Sequence, residues 1–112
     1  MTETSPPDDP RRFGGISRLY GDAGRARLAA AHVCIVGIGG VGSWAAEGLA
    51  RSGIGRLTLI DLDHVAESNI NRQIHAGDET LGQAKVEAMR ARIAGFSPAC
   101  RVTVVDDFVT AD

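Results

Sequence analysis

Gly37, Gly39 and Gly42 form a G-x-G-x-x-G run directly after the apolar stretch His32 to Val36, with Gly40 inside it. Glycine in such a run lets the backbone turn sharply and come close to a phosphate. A helix opening at the turn aims its free N–H groups at the anion. Asp61 follows nineteen positions after Gly42. A carboxylate at that distance accepts hydrogen bonds from ribose hydroxyls, which suits nicotinamide dinucleotides and adenine nucleotides alike. Asp63, Asn69 and Arg72 then share one polar loop, and Lys85 opens the next helical pattern. Arg72 and Lys85 could both reach back toward a triphosphate over the glycine turn. Two cations there suit nucleotidyl transfer, in which negative charge builds on the α-phosphate as pyrophosphate leaves. Hydride transfer has no such need. Arg72 and Lys85 are therefore the candidate catalytic residues. Together with Gly37, Gly39, Gly40, Gly42, Asp61, Asp63 and Asn69 they make the candidate nucleotide-binding set.

The elements that must hold these residues follow from the pattern. His32 to Gly37 reads as a strand. Val41 to Arg51 reads as a helix with Val41, Trp44, Ala45 and Leu49 on one face and a Glu47–Arg51 pair on the other. On that reading Trp44 belongs to the core. Arg56 to Asp61 is an aliphatic strand expected to be buried on both sides. Leu62 to Leu81 is a long polar connection. Gly82 to Gly95 reads as a helix with Val86, Met89 and Ile93 inward, and Arg101 to Val105 as a third strand. The order β-α-β-loop-α-β predicts an α/β fold, the N-terminal half of a doubly wound, Rossmann-like parallel sheet. A three-stranded half-sheet leaves the first strand's edge unpaired, which predicts a truncated chain or a covering partner.

The chain has 112 residues, room for one small domain, and 44% hydrophobic residues, enough for a core. Met1 to Pro10, with three prolines, predicts a disordered tail. Residues 11–31 predict an arm and helix, and 32–112 the partial nucleotide-binding domain. A net charge of −2 makes no general electrostatic case for nucleic acid. Cys34 and Cys100 are expected to be reduced and structural, with Cys34 buried in the first strand. His32, His64 and His75 show no ligand spacing and no C-x-x-C pair occurs, so no metal site is expected within the chain. Without a signal sequence or a long apolar run, a cytoplasmic protein with no membrane partner is expected.

The series G-x-G-G-x-G, D-x-D, N-x-x-R-Q and G-x-x-K resembles the adenylating domain of the ubiquitin-activating-enzyme superfamily, which includes the bacterial activators of thiamine and molybdopterin sulfur carriers. RFGGISRLYG, VCIVGIGGVGSWAAEGLARSGIG, LTLIDLDHV, NINRQIHA and CRVTVVDDFV resemble one branch in particular, the tRNA threonylcarbamoyladenosine dehydratases, over residues 12 to 110. The resemblance implies ligase-type chemistry with ATP and Mg2+, in which a carboxylate is adenylated and the modified adenosine of tRNA cyclises. It implies that the glycines line the phosphates, Asp61 holds the ribose, Asn69, Arg72 and Lys85 contact the phosphates, and Asp63 supports the loop. It further implies a homodimer, tRNA carrying threonylcarbamoyladenosine as partner, and a sulfur-transfer partner protein. Two departures stand out. Gly15 occupies the position where relatives carry an arm arginine, with Arg18 about a turn away. The family's magnesium-binding aspartate and catalytic cysteine would fall past residue 112. The alternatives are an adenylyltransferase for a ubiquitin-like sulfur carrier, a nicotinamide-binding oxidoreductase fragment, and a non-catalytic nucleotide-binding remnant.

Overall fold

The computed structural model describes residues 9–107, so the tail expected at 1–10 lies mostly outside the described residues. Helix α1 (Asp9–Ala30) is broken at Gly21, where φ is 78°. Then come β1 (His32–Val36), α2 (Gly42–Arg51), β2 (Arg56–Ile60), a single 3-10 turn (Glu67–Asn69), α3 (Lys85–Ala94) and β3 (Arg101–Val105). The three strands pair in parallel in the order β1-β2-β3, with His32 opposite Arg56 and Arg56 opposite Arg101. The fold is α/β, as the element order predicted.

Both crossovers step in the same direction across the sheet. Right-handed connections of that kind put their helices on one face. The core lies between that face and the helices, built from Ile35, Leu57, Leu59, Ala46, Ala50, Val86, Met89 and Ile93. Val86, Met89 and Ile93 are fully buried, on the inner face where the helical spacing placed them. The opposite sheet face is open among the described residues, with Val36 62% exposed. Two expectations change for this reason. β2 is covered on one face only, alternating between the buried Leu57 and Leu59 and the partly exposed Thr58 and Ile60. Cys34 points to the open face and is exposed, whereas Cys100 is buried; both thiols are free. Burial pushes the Cys100 thiol's pKa up, which keeps it protonated.

Helix α2 buries a different stripe from the one its hydrophobicity suggested. Ser43, Ala46, Glu47 and Ala50 face inward, while Val41 is 86% and Trp44 53% exposed. Small side chains at this spacing let the helix lie close to the sheet, so the bulky residues are turned outward. Glu47 is buried in the α2–α3 seam. It accepts from Arg51 Nε at 2.7 Å and from Arg92 Nε and Nη2 at 2.7 and 3.1 Å. Arg51 also stacks on Phe96, 4.1 Å from the ring centroid. Among the described residues, no helix is long and apolar enough to cross a membrane.

Candidate functional site

The glycine turn leaves β1 at Gly37, whose φ of 88° is a conformation that L side chains rarely adopt. Its N–H donates to the Ile60 carbonyl at 2.8 Å, which keeps the turn stitched to β2. A Cβ on Gly42 would sit 1.7 Å from the Gly37 oxygen, so the start of α2 touches the turn and only glycine fits. Gly39 and Gly40 are different. Neither has a positive φ. A Cβ at Gly39 would meet nothing nearer than Gln73 Nε2 at 3.8 Å, and one at Gly40 nothing nearer than Arg72 Cδ at 3.7 Å. The fold itself does not require glycine at either place. The missing side chains leave free space above the turn.

The N–H groups of Gly39, Gly40, Val41 and Gly42 have no acceptor among the described residues, and no side chain caps α2. Unpaired amides at the positive end of a helix dipole form a cradle for an anion. Asp61 braces the cradle from below. Its Oδ2 accepts from the Ile38 N–H at 2.6 Å and its Oδ1 from the Asp63 N–H at 2.8 Å. Each carboxylate oxygen retains capacity for a second donor.

Lys85 is brought to this end of the sheet by backbone pairing. Val65 donates to Gln83 at 2.8 Å, Gly82 to Val65 at 2.9 Å and Lys85 to the Asp63 carbonyl at 3.0 Å. His64 and Ala84 form an antiparallel bridge. The loop after β2 thus holds the first residue of α3 against the Asp63 backbone, two residues past Asp61. Lys85 is 7% exposed, and among the described residues its ammonium has no ion-pair partner. The Asp63 side chain is exposed, and the contacts of that residue at the site are made by its backbone.

Asn69 and Arg72 belong to the same polar loop. Buried Asn69 accepts at Oδ1 from the Ala66 N–H at 2.8 Å, and its carbonyl accepts from the Arg72 and Gln73 amides. Its observed contacts shape the loop. The Arg72 stem lies over Gly40. Its Nη1 donates to the Ser68 carbonyl at 3.0 Å and to Asn71 Oδ1 at 3.1 Å, both neutral acceptors, and among the described residues it has no ion-pair partner. The structure thus sets the Arg72 stem over Gly40 and ties the Lys85 backbone to Asp63, both on the connection that follows β2. Arg18 folds back along α1, with Nη2 3.6 Å from where a Gly15 Cβ would stand.

Three further residues belong to this assembly and are not evident from spacing. Trp44 donates its indole N–H to the Arg72 carbonyl at 2.8 Å, which explains its outward setting on α2. Gln73 and His75, 5% and 4% exposed, lie beneath the turn. His75 Nε2 is 2.9 Å from the Ile38 carbonyl, which can only accept, so Nε2 carries the proton. Burial holds the His75 pKa below the ordinary histidine value, and the Lys85 charge adds to this. The hydrogen bond to Ile38 and the Asp61 charge only partly oppose it. Among the described residues, Gln73 Oε1 and His75 Nδ1 are buried without a hydrogen-bond partner. The only sequence signal for either residue was its place in NINRQIHA, where Gln73 and His75 alternate.

Comparison with known proteins agrees with this geometry. The model of the ThiF family matches residues 15–112. The chain is 62% identical over 102 residues to tRNA threonylcarbamoyladenosine dehydratase of Escherichia coli K12, covering 91% of this chain and 38% of that protein. To molybdopterin-synthase adenylyltransferase of Salmonella typhimurium it is 42% identical, covering 81% of this chain and 36% of that protein. The crystal structure of the E. coli dehydratase in complex with ATP superposes with a TM-score of 0.88 at 61% identity, over 90% of this chain and 42% of that one. The chain thus spans about two-fifths of the length of the curated relatives it matches.

Proposed function

This chain belongs to the ThiF family, and from that premise we propose that it forms the ATP-binding part of an enzyme that adenylates a carboxylate, that of threonylcarbamoyladenosine in tRNA. One observation carries the reading. Among the described residues, four amides of the glycine turn without an acceptor and two cations without an acidic partner, Arg72 and Lys85, gather at the same end of the sheet. Such a set matches a triphosphate in charge and in donors.

Each residue then has a role. The amides of Gly39, Gly40, Val41 and Gly42 receive phosphate oxygens, and the bare Cα positions of Gly39 and Gly40 let the phosphates approach. Asp61 uses its remaining acceptor capacity on ribose hydroxyls while continuing to brace Ile38. Asn69 and Asp63 hold the two loops. Arg72 and Lys85 stabilise the charge that develops as the substrate carboxylate attacks the α-phosphorus and pyrophosphate departs. A free carboxylate is a poor acyl donor because oxide is a poor leaving group. Joined to AMP it becomes a good one. The carbamoyl group can then close a ring onto the acyl carbon as AMP leaves, with net loss of water.

ATP suits the residues present. Magnesium is the companion expected with it, but among the described residues no group of three or more His, Cys, Asp or Glu side chains is placed to hold a metal. Magnesium bound with a nucleotide takes most of its ligands from phosphate oxygens and water, with one or two carboxylates completing the set. We further propose a cytoplasmic homodimer, with tRNA as substrate and a sulfur-transfer protein as associate. The relatives named as dehydratases support the tRNA substrate.

ATP–pyrophosphate exchange tests the reading. Exchange stimulated by tRNA bearing threonylcarbamoyladenosine, and not by unmodified tRNA, is the expected result. Exchange stimulated by the C-terminus of a sulfur-carrier protein would move the chain to the adenylyltransferases, to which it is 42% identical. Binding of NAD with no binding of ATP would overturn the assignment.

A further inference from the structure

Successive peptide planes of the glycine turn are each held by a different group. In the plane joining Gly37 to Ile38, the N–H is held by Asp61 at 2.6 Å. In the next plane, joining Ile38 to Gly39, the carbonyl lies 2.9 Å from His75 Nε2. In the plane after that, the Gly39 carbonyl accepts from Ser43 N–H, at the start of α2, at 3.0 Å. None of these peptides is cis. In a trans peptide the C=O and the following N–H point in opposite directions. A carbonyl drawn inward to His75 therefore turns the Gly39 N–H outward.

We propose that His75 is a positioning residue for the nucleotide site, whose Nε2–H bond to the Ile38 carbonyl aims the Gly39 N–H into the phosphate cradle. The inference rests on the reading of that cradle as a phosphate site. Glycine has no side chain to restrain its peptide, and nothing crowds Gly39 within the fold. Without an anchor the 38–39 peptide could flip and present its carbonyl to the phosphates, replacing a donor with an acceptor. His75 is well placed to prevent this. It is 4% exposed, and the loop that carries it is tied to α2 by Trp44 on Arg72 and by the Ile74 N–H on Ser43 Oγ at 3.4 Å. Gln73, from the same loop, places its Nε2 3.8 Å from where a Gly39 Cβ would stand. Among the described residues the Nδ1 atom has no partner, so the ring is held through Nε2 and by packing. Arg72 and His75, three residues apart, thus serve the two sides of one turn, Arg72 above and His75 below.

The test compares His75→Leu, which fills the space without a donor, with His75→Gln, whose amide can donate from about the same place. ATP affinity is measured by calorimetry, thermal stability alongside, and the Gly39 amide is followed by 15N NMR. The expected result is roughly tenfold weaker ATP binding for His75→Leu, the loss of one charge-assisted hydrogen bond. Recovery to within about threefold of wild type is expected for His75→Gln, as is an ATP-induced shift of the Gly39 amide that His75→Leu abolishes. A purely structural role would lower the melting temperature and leave affinity of the folded protein intact, and that result overturns the proposal. If His75→Leu does not fold, the wild-type protein decides. An imidazole protonated at Nε2 and a Gly39 amide shifted by ATP support the proposal; the Nδ1–H tautomer or an unmoved amide overturns it. Wild type that binds no ATP removes the phosphate reading itself, an outcome distinct from a variant that binds like wild type.

Discussion

The indole N–H of Trp44 on α2 donates to the main-chain carbonyl of Arg72 at 2.8 Å, across 28 positions of sequence. It anchors the backbone of a loop whose guanidinium would otherwise be positioned only by Ser68 and Asn71. Trp44→Phe keeps the ring and removes the donor. We expect adenylation to slow by roughly tenfold through misplacement of Arg72, with the melting temperature changed by only a few degrees. Steady-state pyrophosphate release, with KM for ATP separated from kcat, checks this.

The glycines of the turn divide into two groups. Gly40→Ala adds a methyl group that meets nothing nearer than 3.7 Å. The protein should fold normally and lose ATP affinity, because the added group stands where the proposed site receives phosphate. Gly42→Ala forces a contact with the Gly37 oxygen and should fail by instability instead. Thermal melts and ATP titration of both variants distinguish the two outcomes.

Arg72→Ala and Lys85→Ala should each reduce adenylation by about a hundredfold, the scale of removing one preorganised transition-state donor. Stability should change little, since neither residue has a carboxylate partner among the described residues. Pyrophosphate exchange together with denaturant unfolding checks both parts. Near-normal AMP formation in both variants would refute the site.

Glu47 has its pKa lowered. Its burial acts to raise it, and the hydrogen bonds from Arg92 and Arg51 outweigh that effect. The native state therefore favours the carboxylate. The stability this contributes is present above pH ~4.5 and is lost as pH falls through the lower folded-state value. Glu47→Ala should cost about 2 kcal/mol, a modest figure because both arginines are partly exposed. Urea unfolding at neutral pH measures the cost.

His75 titrates with the same sign for a different reason. Its folded-state pKa lies below the unfolded value near 6.5, so the unfolded chain binds the proton more readily. Stability should be independent of this group above pH ~6.5, fall as pH drops below that, and level off beneath the folded value. Unfolding midpoints across that window in wild type, compared with His75→Gln, isolate the contribution.

Periodicity alone located the strands and α3 to within a residue or three. The runs His32–Val36, Arg56–Ile60 and Arg101–Val105 are short and aliphatic, and Val86, Met89 and Ile93 mark a single face. It misassigned α2, because hydrophobicity favoured Val41 and Trp44 as core whereas close packing selected Ser43, Ala46 and Ala50. It also placed Cys34 in the interior, since an apolar strand does not reveal which of its faces will be covered. The glycine turn was legible because Gly37 must take a positive φ and Gly42 must touch the Gly37 oxygen, both local requirements. Arg72 and Lys85 stand out in the sequence as two charges after that turn, and their part in a nucleotide site is the proposal made above.

From sequence alone came the order of elements, the glycine turn and the kind of chemistry its distant cations would serve, because residue type and local spacing are written in the chain. Tertiary structure alone determined that Asp61 and His75 hold consecutive peptide planes of that turn, and that Trp44 holds Arg72. Those contacts span 23 to 37 positions. Their partners come together only when parallel strand pairing and the α2 packing face set the distance between loops, and no local pattern encodes that distance.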